Sequence, residues 1–143
     1  MTERELIEQA IKGRMYSYAP YSGFRVGAAI ETKEGEVYTG CNIENAAYGP
    51  TNCAERTAIF KAVSEGKRSF SQIAIIGGKE AGSIVTGYAT PCGVCRQVMM
   101  EFCDPGDFKI IVAKSVDDYI VYTLKQLMPE GFGPNNLEGG CDL

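Results

Sequence analysis

The sequence predicts a single α/β domain of three layers, in which helices cover both faces of a mixed five-stranded sheet. The chain has 143 residues, the size of one domain, 1–143, that can bury its own core. Strand-like and helix-like segments alternate through its middle, as is typical of helices packed on a sheet. Short turns join the first two strands and the last two strands, which predicts antiparallel pairs at both ends of the chain.

The first half of the chain predicts a helix, a hairpin and a second helix. Residues 2–15 repeat apolar side chains at helical spacing behind a capping-box pattern that begins at Thr2. Strands are predicted over residues 24–31 and 37–41, and the turn between them predicts a hairpin. A polar loop then leads to a helix over residues 53–64, whose buried stripe is expected to be Ala58, Ile59, Ala62 and Val63.

The second half predicts a helix between β-branched runs. Apolar runs predict strands over residues 73–76, 109–113 and 119–123. Only about five residues separate the last two strands, which is too few for a parallel crossover. Helices are expected over residues 92–102, where Val94, Val98 and Phe102 follow at four-residue spacing, and over 124–128. Residues 134–143 are expected to be a mobile tail.

Charge and composition exclude several classes of protein. The formal net charge is −4, so the chain lacks the basic surplus of a nucleic-acid-binding protein. No stretch approaches the ~18 apolar residues of a membrane span, and the charged N-terminus is unlike a secretory signal. We therefore expect a cytoplasmic protein whose thiols stay reduced.

The chain has no His and six Cys, an unusual combination. Cys92 and Cys95 lie three apart at a predicted helix start, and Cys53 begins another predicted helix, so three thiolates can share one metal. Three protein ligands leave one zinc position for water, as in catalytic sites. A redox dithiol or a pair of core thiols uses the same spacing. Cys103 lies over two helical turns beyond Cys95 and is expected, like Cys41, to be a core thiol, whereas Cys141 is expected at the surface.

Two residues beside Cys53 suit zinc chemistry. Without His, Glu55 is the natural group to take a proton from zinc-bound water and deliver it again. Because Glu55 is expected to be buried near thiolates, its pKa should be raised towards neutrality. Arg56 can offset the negative charge of three thiolates on Zn²⁺. The alternatives are a first-turn glutamate that favours the helix dipole and an exposed helix arginine.

Four motifs extend this pattern along the chain. They are Tyr18-Ala19-Pro20-Tyr21-Ser22-Gly23-Phe24-Arg25-Val26-Gly27-Ala28-Ala29, Gly40-Cys41-Asn42-Ile43-Glu44-Asn45-Ala46-Ala47-Tyr48, Cys53-Ala54-Glu55-Arg56-Thr57-Ala58 and Pro91-Cys92-Gly93-Val94-Cys95-Arg96-Gln97. Together they resemble the small zinc-dependent cytidine deaminases over about residues 3–133. The resemblance implies one Zn²⁺ per subunit, a homotetramer with shared active sites, and hydrolysis of cytidine and deoxycytidine to uridine and deoxyuridine for pyrimidine salvage.

The resemblance also implies roles for individual residues. Cys53, Cys92 and Cys95 would bind zinc, with Glu55 as proton shuttle. Asn42 and Glu44 would read a ribose hydroxyl. The remaining substrate-binding positions would be Phe24 as stacking aromatic, Ala46, Tyr48 as a subunit-contact tyrosine, and Ala54 through its backbone. Phe132 would be lent to the pocket by a neighbouring subunit.

These motifs also have other interpretations. Phe24 and Tyr48 also suit core packing and a half-buried surface aromatic, and Asn42 suits ordinary turn chemistry. A blasticidin-type antibiotic deaminase shares the zinc signature, whereas a zinc-stabilised binding module would need a fourth protein ligand. The segment 77–90 is longer than is common in the family, with Lys79-Glu80-Ala81-Gly82 inserted before the zinc motif.

Overall fold

A computed structural model describes residues 1–137. The elements, in chain order, are α1 Glu3–Arg14, β1 Arg25–Thr32, β2 Val37–Cys41, α2 Ala54–Ser64, β3 Phe70–Gly78, α3 Gly93–Phe102, β4 Lys109–Ser115, β5 Asp118–Thr123, α4 Leu124–Leu127 and α5 Pro134–Leu137. The predicted order is confirmed, with one further short helix, α5, after α4. Within residues 1–137 no helix is long and apolar enough to cross a membrane.

The five strands form one mixed sheet in the order β2-β1-β3-β4-β5. β1 pairs antiparallel with both β2 and β3, and β4 pairs antiparallel with β5. β3 and β4 are parallel, and α3 lies in the connection between them. The mixed five-stranded sheet and both predicted antiparallel pairs are therefore confirmed.

The central strands are buried on both faces because the helices lie on opposite sides of the sheet. One core packs α2, α3 and α4 against the sheet, through residues such as Ile59, Met99, Leu124 and Ile75. The other packs α1 against the opposite face, through residues such as Leu6, Ile7 and Ile76. Adjacent residues Ile75 and Ile76 thus serve different cores, as the two-residue period of a strand requires. The expected three-layer arrangement is confirmed.

Three local expectations meet different outcomes. The capping box at Thr2 and Glu5 is present. The buried residues of α3 are Cys95 and Met99; of the apolar residues at four-residue spacing, Val98 and Phe102 pack partly buried against the same core, whereas Val94 is 57% exposed. The first four residues of the expected mobile tail form α5, and residues 138–143, including Cys141, lie outside the described part of the chain.

A close approach between β2 and α2 fixes where α2 begins. A methyl group added to Gly40 would lie 2.5 Å from the Ala58 nitrogen and 2.6 Å from the Ala54 oxygen. Both distances are below any real carbon contact, so only glycine permits this spacing. The N-terminus of α2 is thereby held close to the strand.

Candidate active site

Three thiols meet where the N-termini of two helices converge. Cys53 is the N-cap of α2 and Cys92 is the N-cap of α3, and neither thiol makes a capping hydrogen bond. Cys95 follows in the first turn of α3 and is fully buried, whereas Cys92 is exposed. The Cys53 and Cys92 sulfurs are 3.6 Å apart, and those of Cys92 and Cys95 are 3.5 Å apart.

The donor set fits zinc. Sulfurs that share a tetrahedral zinc at the usual Zn–S length stand about 3.8 Å apart, close to the spacing between these thiols. All three sulfurs lie within 4.8 Å of one another, and Cys53, Cys92 and Cys95 are the metal-binding group among residues 1–137. Cys41 and Cys103 are free thiols buried elsewhere in the core, as expected. The described chain thus offers zinc three ligands and no fourth cysteine.

The electrostatics of the cluster favour a thiolate at Cys53. The Cys95 thiol, together with Arg56 and Cys92, lowers the pKa of Cys53 to about 5 against the opposing effect of burial. The neighbouring Cys53 sulfur, together with burial, raises the pKa of Cys95. One negative charge is therefore already favoured at the position where a cation would bind.

Arg56 contacts this thiolate directly. Its Nη2 donates to the Cys53 sulfur at 3.2 Å. Burial acts to lower the pKa of Arg56, but its contacts with Cys53 and Cys95 prevail and raise that pKa. The guanidinium therefore stays charged beside the thiols, in the position where the sequence analysis expected it to offset their negative charge.

Glu55 is the buried carboxyl group beside the thiols. It lies in the first turn of α2, is 4% exposed, and is not part of the metal-binding group. Burial raises its pKa to about 7, and the charge of Cys53 contributes to the same shift. A carboxyl group with this pKa can accept and release a proton near neutral pH, which agrees with the expectation from sequence.

Glu55 and two of the thiols line one cavity of about 180 Å³. Its walls are formed by Phe24, Val26, Asn42, Thr51, Asn52, Cys53, Ala54, Glu55, Ala89, Thr90 and Cys92. Phe24, Asn42 and Ala54, which the sequence put forward as substrate contacts, thus lie together with the zinc-binding thiols. The site combines a metal-binding cluster, a buried carboxyl group and a cavity that both line.

The comparisons with known proteins agree with this site. The model of the family "Cytidine and deoxycytidylate deaminase zinc-binding region" matches residues 1–112. The chain belongs to this deaminase family. It is 44% identical to a cytidine deaminase of Sporosarcina psychrophila over 137 residues, 96% of each chain. It is 46% identical to a cytidine deaminase of Halalkalibacterium halodurans over 132 residues, 92% of this chain and 95% of the relative.

A solved structure shares the fold of this deaminase-family chain. The crystal structure of a cytidine deaminase from Burkholderia pseudomallei superposes with a TM-score of 0.83 at 44% sequence identity. The match covers 92% of this chain and 100% of that one. The predicted cytidine deaminase-like fold is confirmed.

Within this deaminase-family chain, Asn42 and Glu44 lie apart. Asn42 is buried, and its amide donates to the Phe24 oxygen at 2.8 Å and accepts from the Val26 nitrogen at 2.9 Å. Glu44 accepts from the Ser22 hydroxyl and backbone, which lowers the pKa of Glu44, and from the Tyr21 nitrogen at 2.9 Å.

Glu44 lines a second cavity, of about 390 Å³, together with Tyr21 and Tyr48. Tyr48 is 72% exposed and has a φ of 63°, an uncommon conformation for a large side chain. Ala46 and Phe132 are exposed and line neither of the two cavities. The protomer therefore assembles only part of the predicted substrate-binding set around the thiols.

Sequence reasoning missed several walls of the cavity. Val26 follows Phe24 at the two-residue spacing that places strand residues on one face, so alternation could have indicated it. Asn52 immediately precedes a ligand, and Thr90 precedes the zinc motif by one residue. Ala89 carried no signal, because only the folded path of the 79–90 segment brings it beside Phe24.

Proposed function

We propose that this chain hydrolyses cytidine and deoxycytidine to uridine and deoxyuridine, with release of ammonia. The observation that carries the proposal is the convergence of three thiol ligands and the buried Glu55 on one cavity. Three ligands are one fewer than a structural zinc site uses, so the donor set is that of a catalytic centre. Homologues that are 44% and 46% identical carry the name cytidine deaminase, which supports the same activity here.

Cys53, Cys92 and Cys95 would hold the zinc. When bound, zinc supplies the acidity that makes water a nucleophile near neutral pH. Glu55 accepts a proton from the attacking water and delivers protons to the N3 atom of the base and to the departing amine. One water is consumed and one ammonia is released, so the same carboxyl group must act as both base and acid.

The charge of the cavity walls favours a nucleoside over a nucleotide. Neither the cavity at the thiols nor the cavity at Glu44 is lined by a lysine or an arginine within residues 1–137. A phosphate group would meet the Glu44 carboxylate with no cation to pair with. Because the family also includes deoxycytidylate deaminases, this absence supports cytidine and deoxycytidine as the substrates.

The remaining substrate contacts follow from the walls of the two cavities. Phe24 supplies an aromatic face for the base, and the Ala54 backbone lies at the edge of the cavity. Asn42 orders the start of β1, because its Oδ1 accepts from the Ser17 hydroxyl and the Val26 nitrogen while Nδ2 donates to the Phe24 oxygen. Its second amide N–H would donate to a sugar hydroxyl, which Glu44 would share from the neighbouring cavity.

The chain is proposed to work as a homotetramer in which subunits share their sites. The exposed Ala46, Tyr48 and Phe132 supply apolar surface that a neighbouring subunit would cover. Sedimentation velocity combined with activity across a dilution series tests this. A tetramer that loses specific activity on dissociation is expected, and full activity in a monomer would contradict sharing.

The free thiols at positions 41, 53, 92, 95 and 103 support a reducing, cytoplasmic setting.

A substrate panel tests the activity itself. Zinc-loaded protein is incubated with cytidine, deoxycytidine, deoxycytidylate and a blasticidin-type antibiotic, while absorbance and ammonia are measured together. We expect equimolar ammonia and uridine product from the two nucleosides and at least about a hundredfold lower kcat/KM for deoxycytidylate, because its phosphate finds no cation. A preference for the nucleotide or for the antibiotic would overturn the substrate assignment, and no ammonia from any of them would overturn the activity.

A further inference from the structure

Arg14, at the end of α1, is a buried guanidinium that belongs to no metal or substrate motif. It is 4% exposed, and no carboxylate within residues 1–137 forms an ion pair with it. Burying a charge without a counter-ion is costly unless its donors are satisfied. The side chain must therefore be retained by the groups that it bonds.

Those groups are backbone carbonyls from two separate parts of the chain. Nε donates to the Arg25 oxygen at 2.8 Å, at the first residue of β1. Nη1 and Nη2 donate to the oxygens of Gly82 at 2.9 Å and Gly78 at 2.8 Å, and Nη2 also contacts the Glu80 oxygen. One rigid planar group thus joins the start of β1 to the end of β3 and the segment that follows.

The carbonyls that Arg14 binds lie beside the walls of the substrate cavity. Arg25 and Gly78 are paired in the β1–β3 ladder. Arg25 follows Phe24, and Gly78 follows Gly77, where a methyl group would lie 3.1 Å from both the Phe24 ring and the Ala89 side chain. The side chains of Phe24 and Ala89, two walls of the cavity, therefore both lie close to Gly77. Gly77 precedes Gly78, whose carbonyl Arg14 binds.

Further bonds order the segment between Gly82 and Ala89. Glu80 accepts from the Thr86 hydroxyl at 2.6 Å across the segment, and the Val85 nitrogen donates to the Lys114 oxygen at 2.9 Å. The Tyr88 hydroxyl donates to Asp118, and the Lys114 ammonium lies 4.3 Å from the Tyr88 ring centre. The segment 79–90 thus runs as a strap, held by these bonds, from the arginine to the cavity.

We propose that Arg14 is a positioning residue for the substrate: by holding the ends of β1 and β3 and the 79–90 strap together, it sets the spacing of Phe24 and Ala89 around the bound base. Arg14 itself touches neither the thiols nor the cavity. It should therefore control substrate affinity and leave zinc binding intact. The kinetic part of this inference rests on the proposed cytidine deamination.

The test compares R14K with a matched control, R68K. Lysine keeps the charge of residue 14, but its single nitrogen cannot span the carbonyls of Arg25 and Gly82. Arg68 also donates to backbone carbonyls, those of Val63 and Lys67, but it is exposed and lies outside the cavity. Zinc content, hydrogen–deuterium exchange of peptides covering 79–90, and KM and kcat for cytidine are measured in both.

We expect R14K to retain full zinc, to exchange faster over 79–90, and to raise KM about tenfold with kcat within about threefold, whereas R68K matches the wild type. Unchanged exchange, or faster exchange with an unchanged KM, overturns the proposal. A wild-type protein that does not deaminate cytidine would overturn the proposed function, and exchange would still report whether Arg14 holds the strap.

A second pair of variants decides the matter if R14K does not fold. T86V removes one bond inside the strap at an exposed position, and S83A is its control in the same strap. Faster exchange over 79–90 together with a KM raised about threefold in T86V alone supports the proposal. Any other result for T86V overturns the link between strap order and substrate affinity.

Discussion

The position of Glu55 combines two demands that usually conflict. In the proposed reaction Glu55 must contact the attacking water, yet its carboxyl group must not become a fourth metal ligand. The N-cap position of Cys53 and the first-turn position of Glu55 satisfy both demands, since the carboxyl is buried in the cavity while the thiol joins the metal-binding group. Burial then raises the pKa of Glu55 to about 7.

Glu55→Gln should abolish turnover and leave the fold intact. The amide matches the carboxyl in size and is easier to bury, but it cannot carry the proton, so kcat should fall by about a thousandfold or more. Zinc content and the melting temperature should match or exceed those of the wild type. Glu101→Gln, on the exposed side of α3, is the control and should keep full activity. A Glu55→Gln enzyme with a tenth of normal activity would remove Glu55 from its role.

Arg56→Gln should lower activity through the thiolates. The variant loses the bond to the Cys53 sulfur and its positive charge, so the zinc centre becomes more negative and less able to activate water. We expect kcat to fall about tenfold to a hundredfold with zinc retained. Arg4→Gln removes a charge from an exposed ion pair with Asp117 and should have no effect on kcat. Equal kcat values in the two variants would argue against charge compensation by Arg56.

The thiols and Glu55 could be predicted from sequence because their chemistry admits few substitutes. The directions of Asn42 and Glu44 could not, although the resemblance implied that both read a ribose hydroxyl. Ile43 between them bridges both Tyr18 and Asn52. Each polar side chain then bonds backbone groups of residues 21–26, so the two serve neighbouring cavities.

At the scale of elements, α2 and α3 orient the ligands through their N-termini. The free N–H groups of each first turn favour negative charge, and Cys53 and Cys92 occupy these two positions. The same geometry explains why Val94 of α3 faces solvent. Cys95 must point inward to reach the cluster, and Met99 follows one turn later, which rotates Val94 into solvent. Apolar spacing alone could not show this, because the ligand Cys95 sets the rotation of α3 about its axis.

Gly40→Ala should destabilise the protein through one helix–strand contact. The added methyl group would clash with the Ala54 oxygen and the Ala58 nitrogen, so α2 must move away from β2 at a cost of about 3 kcal/mol. Urea denaturation measures this change in the free energy of unfolding. Gly106→Ala is the control, because its nearest neighbour would be at 3.6 Å, an ordinary contact. Equal stability of the two variants would mean that β2 and α2 can separate freely.

At the scale of the whole molecule, none of the three ligands lies on a strand of the sheet. Cys95 belongs to the core that packs α2, α3 and α4, and Cys53 packs against it, whereas the core that packs α1 contains none of the ligands. Period-two runs and short turns could therefore predict the sheet without any knowledge of the site. The exact strand lengths could not be predicted: β3 extends to Phe70 and Gly78 because pairing with β1 orders both ends, whereas pairing with β4 reaches only from Gln72 to Ile76.

Removal of zinc should leave a folded but inactive protein. We expect a chelator to abolish deamination and to lower the melting temperature by several degrees, because the metal ties α2 to α3, while the far-UV circular dichroism changes little. Stoichiometric zinc should restore activity, whereas calcium, which prefers oxygen ligands, should not. Loss of the far-UV signal on chelation would show instead that the metal carries the fold.

The pairing of β1 with β3 also closes a long loop of the chain. Arg25 pairs with Gly78, and both β2 and the whole of α2 lie between these two residues in the sequence. The central ladder therefore closes only after a long loop is brought together. Cys53 lies inside that loop and Cys92 beyond it. The two halves of the metal site therefore come together across a loop that the sheet closes. Zinc would bind a domain that the sheet already holds, unlike the small fingers that zinc folds from disorder.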